Sequence, residues 1–554
     1  MDMNNKYIFL GIFLTLIMIT SCVKDLDVSP KDPNIILSGN LGDDPKYAKE
    51  VLAKIYASFI ISGQGGSYGD DITASDGNFF TTTRALWNLQ EITTDEAICA
   101  WGDVGIADLN TQTWSSSNPF LTAVYQRLGL SITYANSFIS YTNGSSDPDI
   151  IRYNAEARFL RALAYSWYMD LFGNPPFTTE ADGVGKFYPK QLDQDMTIAR
   201  QKLFTYIESE LHSIMPKLGA PRYSYPQADK GACWMLLARN YLNAKVYTGT
   251  AQWDSCVKYS DKVINEGGYS LATDYRKNFC ADNDGPSNSE MIFAWAQDGV
   301  NIQGYVGTTF IIESSSDAKY IKAERFHGLT SNTNWNGNRS RVDFFDILVD
   351  TLTTYSGAPV PSATYADSIF AQCKDTRVYM KLKKSKNIPS ASSSGDYGVG
   401  VYKFTALNSD GSRPATYNTA YACTDFPIFR LADAYLMRAE AKYNLNNGDA
   451  TALADVNYIR DRAYKAGAFG SNAANHLVAL TPDLILKERG REFYYEAQRR
   501  TDLVRFGKFT GSSYLWTWKG GTHEGTSTDS HLDVFPIPAD EVSANPNIHQ
   551  NPNY

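Results

Sequence analysis

The first strong regularity in the chain begins at about Asp44. There PKYAKEVLAKIYASFI places Ala48, Leu52, Ile55, Tyr56 and Phe59 at three- and four-residue spacing, which lines one face of a helix, and Gly63 ends the run. The same period returns from about Pro119 to Tyr141 and from about Asp149 to Phe172. In the second of these, Ala155, Phe159, Ala162 and Ser166 form a row of small and large side chains suited to close helix packing, and Gly173, Asn174, Pro175 and Pro176 stop it. Further helices are predicted from Met196 to Leu218, Gln227 to Tyr247 and Trp253 to Asn265, with short turns between them. Towards the C-terminus, FPIFRLADAYLMRAEAKYNLNNGDATALADVNYIRDRAY predicts a helix, a turn at Asn446 to Asp449 and a second helix.

Helix pairs of about 35 to 45 residues with alanines at packing positions are organised like tetratricopeptide repeats, although intervening loops break a clean period. The prediction is a mainly α fold: a tetratricopeptide-like helical repeat scaffold with long loops and a small β-containing insert. The scaffold covers 41–280, with FFTTTRALWNLQEITTDEAICAWGDVG inside it read as loop. Over 281–424 the pattern changes to short β-prone runs, MIFAWA, YVGTTFII and VGVYKF, among turns such as IPSASSSGDYGVG. Helical pairs resume over 425–554, all within one compound fold.

The first residues read as an address. Lys6 precedes the apolar run YIFLGIFLTLIMIT, which is too short and wrongly flanked for a membrane span. The run ends at Ile19, Thr20, Ser21 and Cys22, which looks like a bacterial lipoprotein cleavage site. Residues 1–21 would be removed, Cys22 would be lipidated, and 22–40, polar and Pro-containing, would tether the body to the membrane.

With 43% hydrophobic and 13% aromatic residues in 554, the chain can bury a large core. A net charge of −9 gives no electrostatic case for nucleic acid as a partner. Tyr and Trp are numerous, whereas His212, His327, His476, His523, His531 and His549 are the whole histidine complement. That balance points to binding by stacking rather than to histidine chemistry. Beyond Cys22, Cys99, Cys233, Cys256, Cys280, Cys373 and Cys423 are widely spaced with no CxxC pair, so they do not read as a zinc site; export would let some of them pair, with buried free thiols the default.

Candidate chemistry concentrates between Trp295 and Arg341, a stretch without sustained helical period and rich in Gly, Asn, Ser and aromatics. Tyr305 and Trp335 among polar amides are what a sugar-reading surface needs, flat apolar faces for the ring and donors and acceptors for the hydroxyls; the same aromatics also suit a core. Gly65, Ser67 and Gly69 match the spacing of a nucleophile elbow, but a helix precedes them where an elbow needs a strand. Asp70, Asp71, Asp95 and Glu96 keep a glycoside hydrolase open, since paired carboxylates at the right separation perform that reaction.

The C-terminal quarter carries a resemblance. LILKERGREFYYEAQRRTDLVRFGKF, YLWTWKGG and VFPIPADEVSANPNIHQNPNY resemble the end of the SusD/RagB family of outer-membrane nutrient-binding lipoproteins. SCVKDLDVSPKDP, TTDEAICAW, EARFLRALAYSWYMDLFG, ADKGACWMLLARNYLNAKVYTG and FPIFRLADAYLMRAEA extend it over essentially the whole chain. Within the C-terminal stretch, Arg489, Glu492, Glu496 and Arg499 are spaced to pair along or across helices and read as structural.

The resemblance implies a surface-exposed, lipid-anchored, non-catalytic protein that binds an oligosaccharide or polysaccharide and passes it to a SusC-like TonB-dependent transporter. The chain looks most like starch-binding members, whose arc of aromatic rings follows an α-glucan; a RagB-like peptide-import role is the alternative. By position, Trp101, Tyr305 and Trp335 match arc aromatics and Arg84 a hydroxyl-binding arginine. Cys99 stands where a further aromatic is expected and Val104 where an amide is expected, with Asp103 as a substitute acceptor. Asp284 and Asp425 match the positions of a structural calcium; read without the family, Asp284 sits in a turn and Asp425 caps a following helix.

Overall fold

The computed structural model describes residues 41–63, 71–72, 81–183, 188–331, 333–349, 375–392, 394–464 and 475–554. Residues 1–21, residues 22–40 with Cys22, the Gly65, Ser67 and Gly69 set, Asp70 and Cys373 lie outside the described residues.

Several of the long helices start where a side-chain oxygen meets their first free N–H groups. Asp44 accepts from Lys46 N and Tyr47 N at 3.0 and 3.1 Å to open α1 (Pro45–Ile60). Next come the short α2 (Thr82–Trp87), which runs into a π-helical turn at Asn88–Ile92, and α3 (Ile106–Thr111). Asn118 caps α4 (Pro119–Thr142), Asp147 caps α5 (Pro148–Phe172) and Asp195 caps α6 (Met196–Ile214). Asp229 caps α7 (Lys230–Leu242), which is followed by α8 (Ala244–Thr248) and α9 (Trp253–Glu266). Then follow α10 (Gly307–Ser315), α11 (Ala323–Phe326) and α12 (Val342–Val349). The C-terminal part holds α13 (Leu431–Leu445), α14 (Ala450–Ala463), α15 (Pro482–Phe493), α16 (Arg499–Arg505) and α17 (Ala539–Ala544).

Neighbouring helices stack: α4 on α5, α5 on α6, α7 on α9, α9 on α13 and α13 on α14. This is the helical scaffold that the periodicity predicts, with differences at punctuation. The helix expected over 196–218 ends at Ile214 and tightens into a 3₁₀ turn at Met215–Lys217, which contains Pro216. The one expected over 227–247 divides at Asn243. Among the described residues, no helix is long and apolar enough to cross a membrane.

Strands join distant parts of the chain. β1 (Ala97–Cys99), β2 (Pro176–Phe177), β3 (Lys190–Gln191), β4 (Met291–Trp295), β5 (Asn338–Ser340), β6 (Met380–Leu382), β7 (Val399–Val401) and β8 (Phe426–Arg430) form a four-stranded sheet of order β1-β5-β7-β6 and two pairs, β2-β3 and β4-β8. FPIFR is therefore a strand, where a helix was expected: it pairs antiparallel with β4 and every residue is buried. Trp295, on β4, is fully buried and stacks on Phe59 at 4.9 Å, so it is a core residue. Two segments depart from expectation. TTTRALWNLQEI, read as loop, is helical, and most of YVGTTFII, read as β-prone, opens α10 (GTTFIIESS); all nine residues of α10 are buried, so it shows no amphipathic stripe, and packing overrides its β-branched residues.

The charged C-terminal stretch lies in the core. Arg430 contacts Glu290 at 2.9 Å, Glu492 at 2.6 Å and Glu496 at 2.8 Å; Arg377 contacts Asp375 and Glu488 at 2.7 Å and Glu492 at 3.1 Å; Arg462 bridges Glu290 and Glu492. Arg489 bonds Asp433 and Asp502. The helical spacing expected for this set ends at Phe493, because Tyr495 and Ala497 flank Glu496 with φ of 65° and 58°. Cys99, Cys233, Cys256, Cys280 and Cys423 are buried free thiols.

Candidate functional site

The antiparallel register of β1 on β5 pairs Ala97 with Ser340, Ile98 with Arg339 and Cys99 with Asn338, and Ala100 N donates to Gly337 O at 2.9 Å. Trp101 leaves the end of β1 where Trp335 enters β5, so the ladder brings the two indoles together. Their centroids are 6.2 Å apart at 52°, and Trp101 Nε1 donates to the Trp335 carbonyl at 3.0 Å. Gly337 makes room for this: a Cβ there would fall 2.3 Å from Trp101 Cε2. Asn334 and Asn336 hold φ of 69° and 51° on either side of Trp335, a conformation Asn tolerates better than most residues.

The helix α10 organises the rest. Its C-terminal end binds the Trp335 loop: Trp335 N donates to Glu313 O at 3.1 Å, Asn336 N to Ser316 O and Gly337 N to Ser314 O, both at 2.8 Å. Phe310, in its middle, lies edge-on to Trp101 at 6.2 Å and beneath the Arg84 guanidinium at 4.4 Å. Tyr305, just before it, stands 5.8 Å from Trp335 and 5.2 Å from Tyr421. Trp101, Tyr305, Trp335 and Tyr421 are each half-buried, so rings packed together at one edge keep area for solvent or a ligand.

Arg84, on α2, is 5% exposed and also lies 5.7 Å over Trp101. It supports the tryptophan from behind through cation–π contact. Asp103 is exposed in the turn before α3, and Val104 is 81% exposed. Cys99 faces the core, so no aromatic at that strand position joins the exposed rings. Tyr421 escaped the sequence reading, because it lies in a polar loop with no local pattern to mark it.

The segment bearing Arg84 and Trp101 is bolted to the C-terminal region. Arg499 makes a two-pronged contact to Asp95 at 2.7 and 2.8 Å, Gln498 N donates to Glu91 at 3.1 Å and Tyr495 N donates to Glu96. Burial raises the Glu91 carboxyl to about 7; it raises Glu96 as well, with Glu91 beside it adding to the shift. Asp95 and Glu96 are thus committed to the core, and Asp71 pairs with Lys54 at 3.0 Å; none of the three flanks the exposed rings as the hydrolase reading requires.

Asp425 is buried immediately before β8 and caps no helix, because the residues after it extend into a strand. It accepts from Tyr225 Oη and from Gln297 N at 2.8 Å, and has no ion-pair partner among the described residues. Burial raises its carboxyl to about 7, against the two hydrogen bonds, and the charges of Asp284 and Asp298 push the same way. Asp284 sits in a turn, its carbonyl accepting from Ser287 N and Asn288 N. A carboxylate is a hard-cation donor, but no group of three or more His, Cys, Asp or Glu that could hold a metal ion converges among the described residues.

Residues 265–554 match the family model described as the SusD family. Over 97% of its length the chain is 34% identical to the starch-binding protein SusD of Bacteroides thetaiotaomicron, spanning 96% of that protein. The chain belongs to the SusD family. Another relative, the SusD-like protein P25 of Formosa agariphila, is 22% identical over 97% of each chain. Among solved structures, a SusD-like protein of Bacteroides fragilis superposes with a TM-score of 0.68 at 19% identity over 95% of this chain and all of that one. Surface glycan-binding protein A of Bacteroides thetaiotaomicron, solved with laminarihexaose, gives 0.63 at 17% identity over 92% and 99%. These two likenesses carry the family fold across large sequence divergence.

Proposed function

We propose that this chain is a lipid-anchored, cell-surface glycan-binding protein of the outer membrane that captures starch-like α-glucan or a related oligosaccharide and delivers it to a SusC-like TonB-dependent transporter, without catalysis. The observation that carries the reading is the half-exposed cluster of Trp101, Trp335 and Tyr305, assembled from distant segments around α10. The name of the 34% identical relative, a starch-binding protein, supports an α-glucan; the laminarihexaose complex of a more distant one shows that β-linked glucans fit this fold elsewhere. The tilt between neighbouring rings suits a curved chain better than a flat one. Cys22 would carry the anchor, Arg84 would brace the platform, and Tyr421 would extend it.

Covering a sugar face with one ring buries on the order of 50 to 100 Å², or roughly 1 to 2 kcal/mol. Three or four such contacts, less binding costs, give a dissociation constant of about millimolar to tens of micromolar. Fast exchange of that kind suits capture followed by transfer. A calcium ion held by Asp284 and Asp425 would brace the loop that carries Gln297 and the strand β8. Calorimetry with a glycan panel against a peptide panel tests the central reading: saturable heat with α-glucans and none with peptides is expected, and binding confined to peptides would replace it with the RagB-like role.

A further inference from the structure

A cavity of about 300 Å³ lies where the segment before α7 meets the start of β4, walled by Arg222, Tyr223, Tyr225, Gln227, Tyr269 and Pro286. None of these residues belongs to the Trp101–Trp335 cluster. The volume falls at the lower end of the ~300–1,000 Å³ typical of small-molecule sites, room for a chain end and not for a polymer.

Glycines set its three tyrosines. A Cβ on Gly219 would fall 2.6 Å from Tyr223 Cγ, one on Gly285 2.3 Å from Tyr225 Cδ2, and one on Gly231 2.2 Å from Tyr269 Oη. At each ring the main chain comes closer than a side chain permits. Tyr225 is held further by its hydroxyl bond to Asp425. Tyr269 is 8% exposed, with its hydroxyl beside the Arg222 main chain. Tyr223 is 53% exposed, with Arg152 stacked on it at 4.8 Å.

The polar wall is balanced in charge. Arg222 holds a φ of 63°, its N–H donates to Asp229 at 2.6 Å, and its exposed guanidinium donates to Gly268 O at 3.4 Å and lies 5.8 Å over the Tyr269 ring. Both Asp229 oxygens accept from main-chain N–H groups, of Arg222 and of Ala232. Phenol rings, an exposed guanidinium and the Gln227 amide are the complement of a neutral hexose, which has apolar ring faces and hydroxyls at its rim.

We infer that this cavity is a second saccharide site, taking one or two hexose units at the end of a neutral glycan. The inference rests on the glycan-binding reading, and two linked sites on one polymer would raise retention through effective concentration. The test titrates the full chain, its Trp335→Ala variant, and that variant carrying Tyr223→Ala or Arg222→Gly, with maltotriose, cellotriose and laminaritriose at millimolar concentrations, read by saturation-transfer NMR and calorimetry. Tyr223 and Arg222 are exposed, so both changes leave the core intact. At least one trisaccharide is expected to bind the Trp335→Ala protein saturably, and the added Tyr223→Ala to weaken that binding about tenfold. Binding by the wild type that vanishes in Trp335→Ala would overturn the second site and leave the first standing. Residual binding indifferent to Tyr223 and Arg222 would overturn it as well. Binding lost with Tyr223→Ala alone and indifferent to Trp335→Ala would keep the cavity and overturn the aromatic platform.

Discussion

Trp101 and Trp335 stand 234 residues apart in the chain, yet the indole N–H of one donates to the main-chain carbonyl of the other at 3.0 Å. The bond removes the polar edge of Trp101 from the exposed surface and fixes the angle between the rings. Each indole then offers its face, and the pair acts as one platform. Trp101→Ala or Trp335→Ala is expected to weaken α-glucan binding by roughly 1 to 2 kcal/mol, about five- to thirtyfold, with the larger loss in the double variant. Affinity electrophoresis through starch-containing gels measures it, and unchanged circular dichroism confirms the fold. Full retention by the double variant would place the binding face elsewhere.

Gly337 provides a second handle on the same platform without touching a ligand. A methyl group there would fall 2.3 Å from Trp101 Cε2, so Gly337→Ala must displace the indole or the β5 entry. Retention is expected to fall to the level of Trp101→Ala. Melting temperature should shift little, because Trp101 is half-buried and has solvent to move into. A variant that binds as the wild type does would show that the ring angle is unimportant.

Much of the scaffold was legible in the sequence because its helices are long and many are capped: Asp44, Asn118, Asp147, Asp195 and Asp449 each precede one. The organiser of the site was not. Helix α10 is buried on all sides and rich in Thr and Ile, so neither period nor propensity marks it as helical. Trp101, Tyr305 and Trp335 were reached through resemblance, whereas Tyr421 carries no motif. Nor does local sequence tell that Asp95 meets Arg499 across 404 residues, the clamp that holds the Arg84–Trp101 segment in place.

The buried charges predict how acid unfolds the protein. Although burial opposes it, Arg377, Arg460 and Arg491 hold the Glu488 carboxyl down at about 2, against about 4.5 for a free glutamate, and Glu492 is also lowered, with Arg462, Arg430 and Arg377 around it. A depressed folded value contributes stability that is present above pH 4.5 and is lost as pH falls towards 2. Stability measured by denaturant unfolding should therefore drop steeply across that window. Glu492→Gln leaves Arg430 and Arg462 short of a counter-charge in the core and is expected to cost about 3–5 kcal/mol at neutral pH. Asp149→Asn, which removes an exposed pair with Arg152, should cost about 0–1 kcal/mol. Equal costs for the two would deny the buried network its role.

Calcium is the remaining test of the carboxylates around β8. Asp425 is buried, the charges of Asp284 and Asp298 act on it, and its two hydrogen bonds come from neutral donors, the Tyr225 hydroxyl and the Gln297 main-chain N–H. A bound divalent cation would offset the repulsion and stabilise the folded chain by mass action, about 2.7 kcal/mol at a free concentration one hundred times the dissociation constant. Chelation by EDTA is expected to lower the melting temperature by a few degrees, and calcium to restore it better than magnesium, which demands stricter octahedral geometry. Asp425→Asn should lose the response, because it removes the charge and keeps the shape. Metal analysis of the purified protein by mass spectrometry gives the stoichiometry directly. A protein free of calcium whose melting temperature ignores both EDTA and added calcium would leave Asp425 as a buried acceptor for Tyr225 and Gln297 alone.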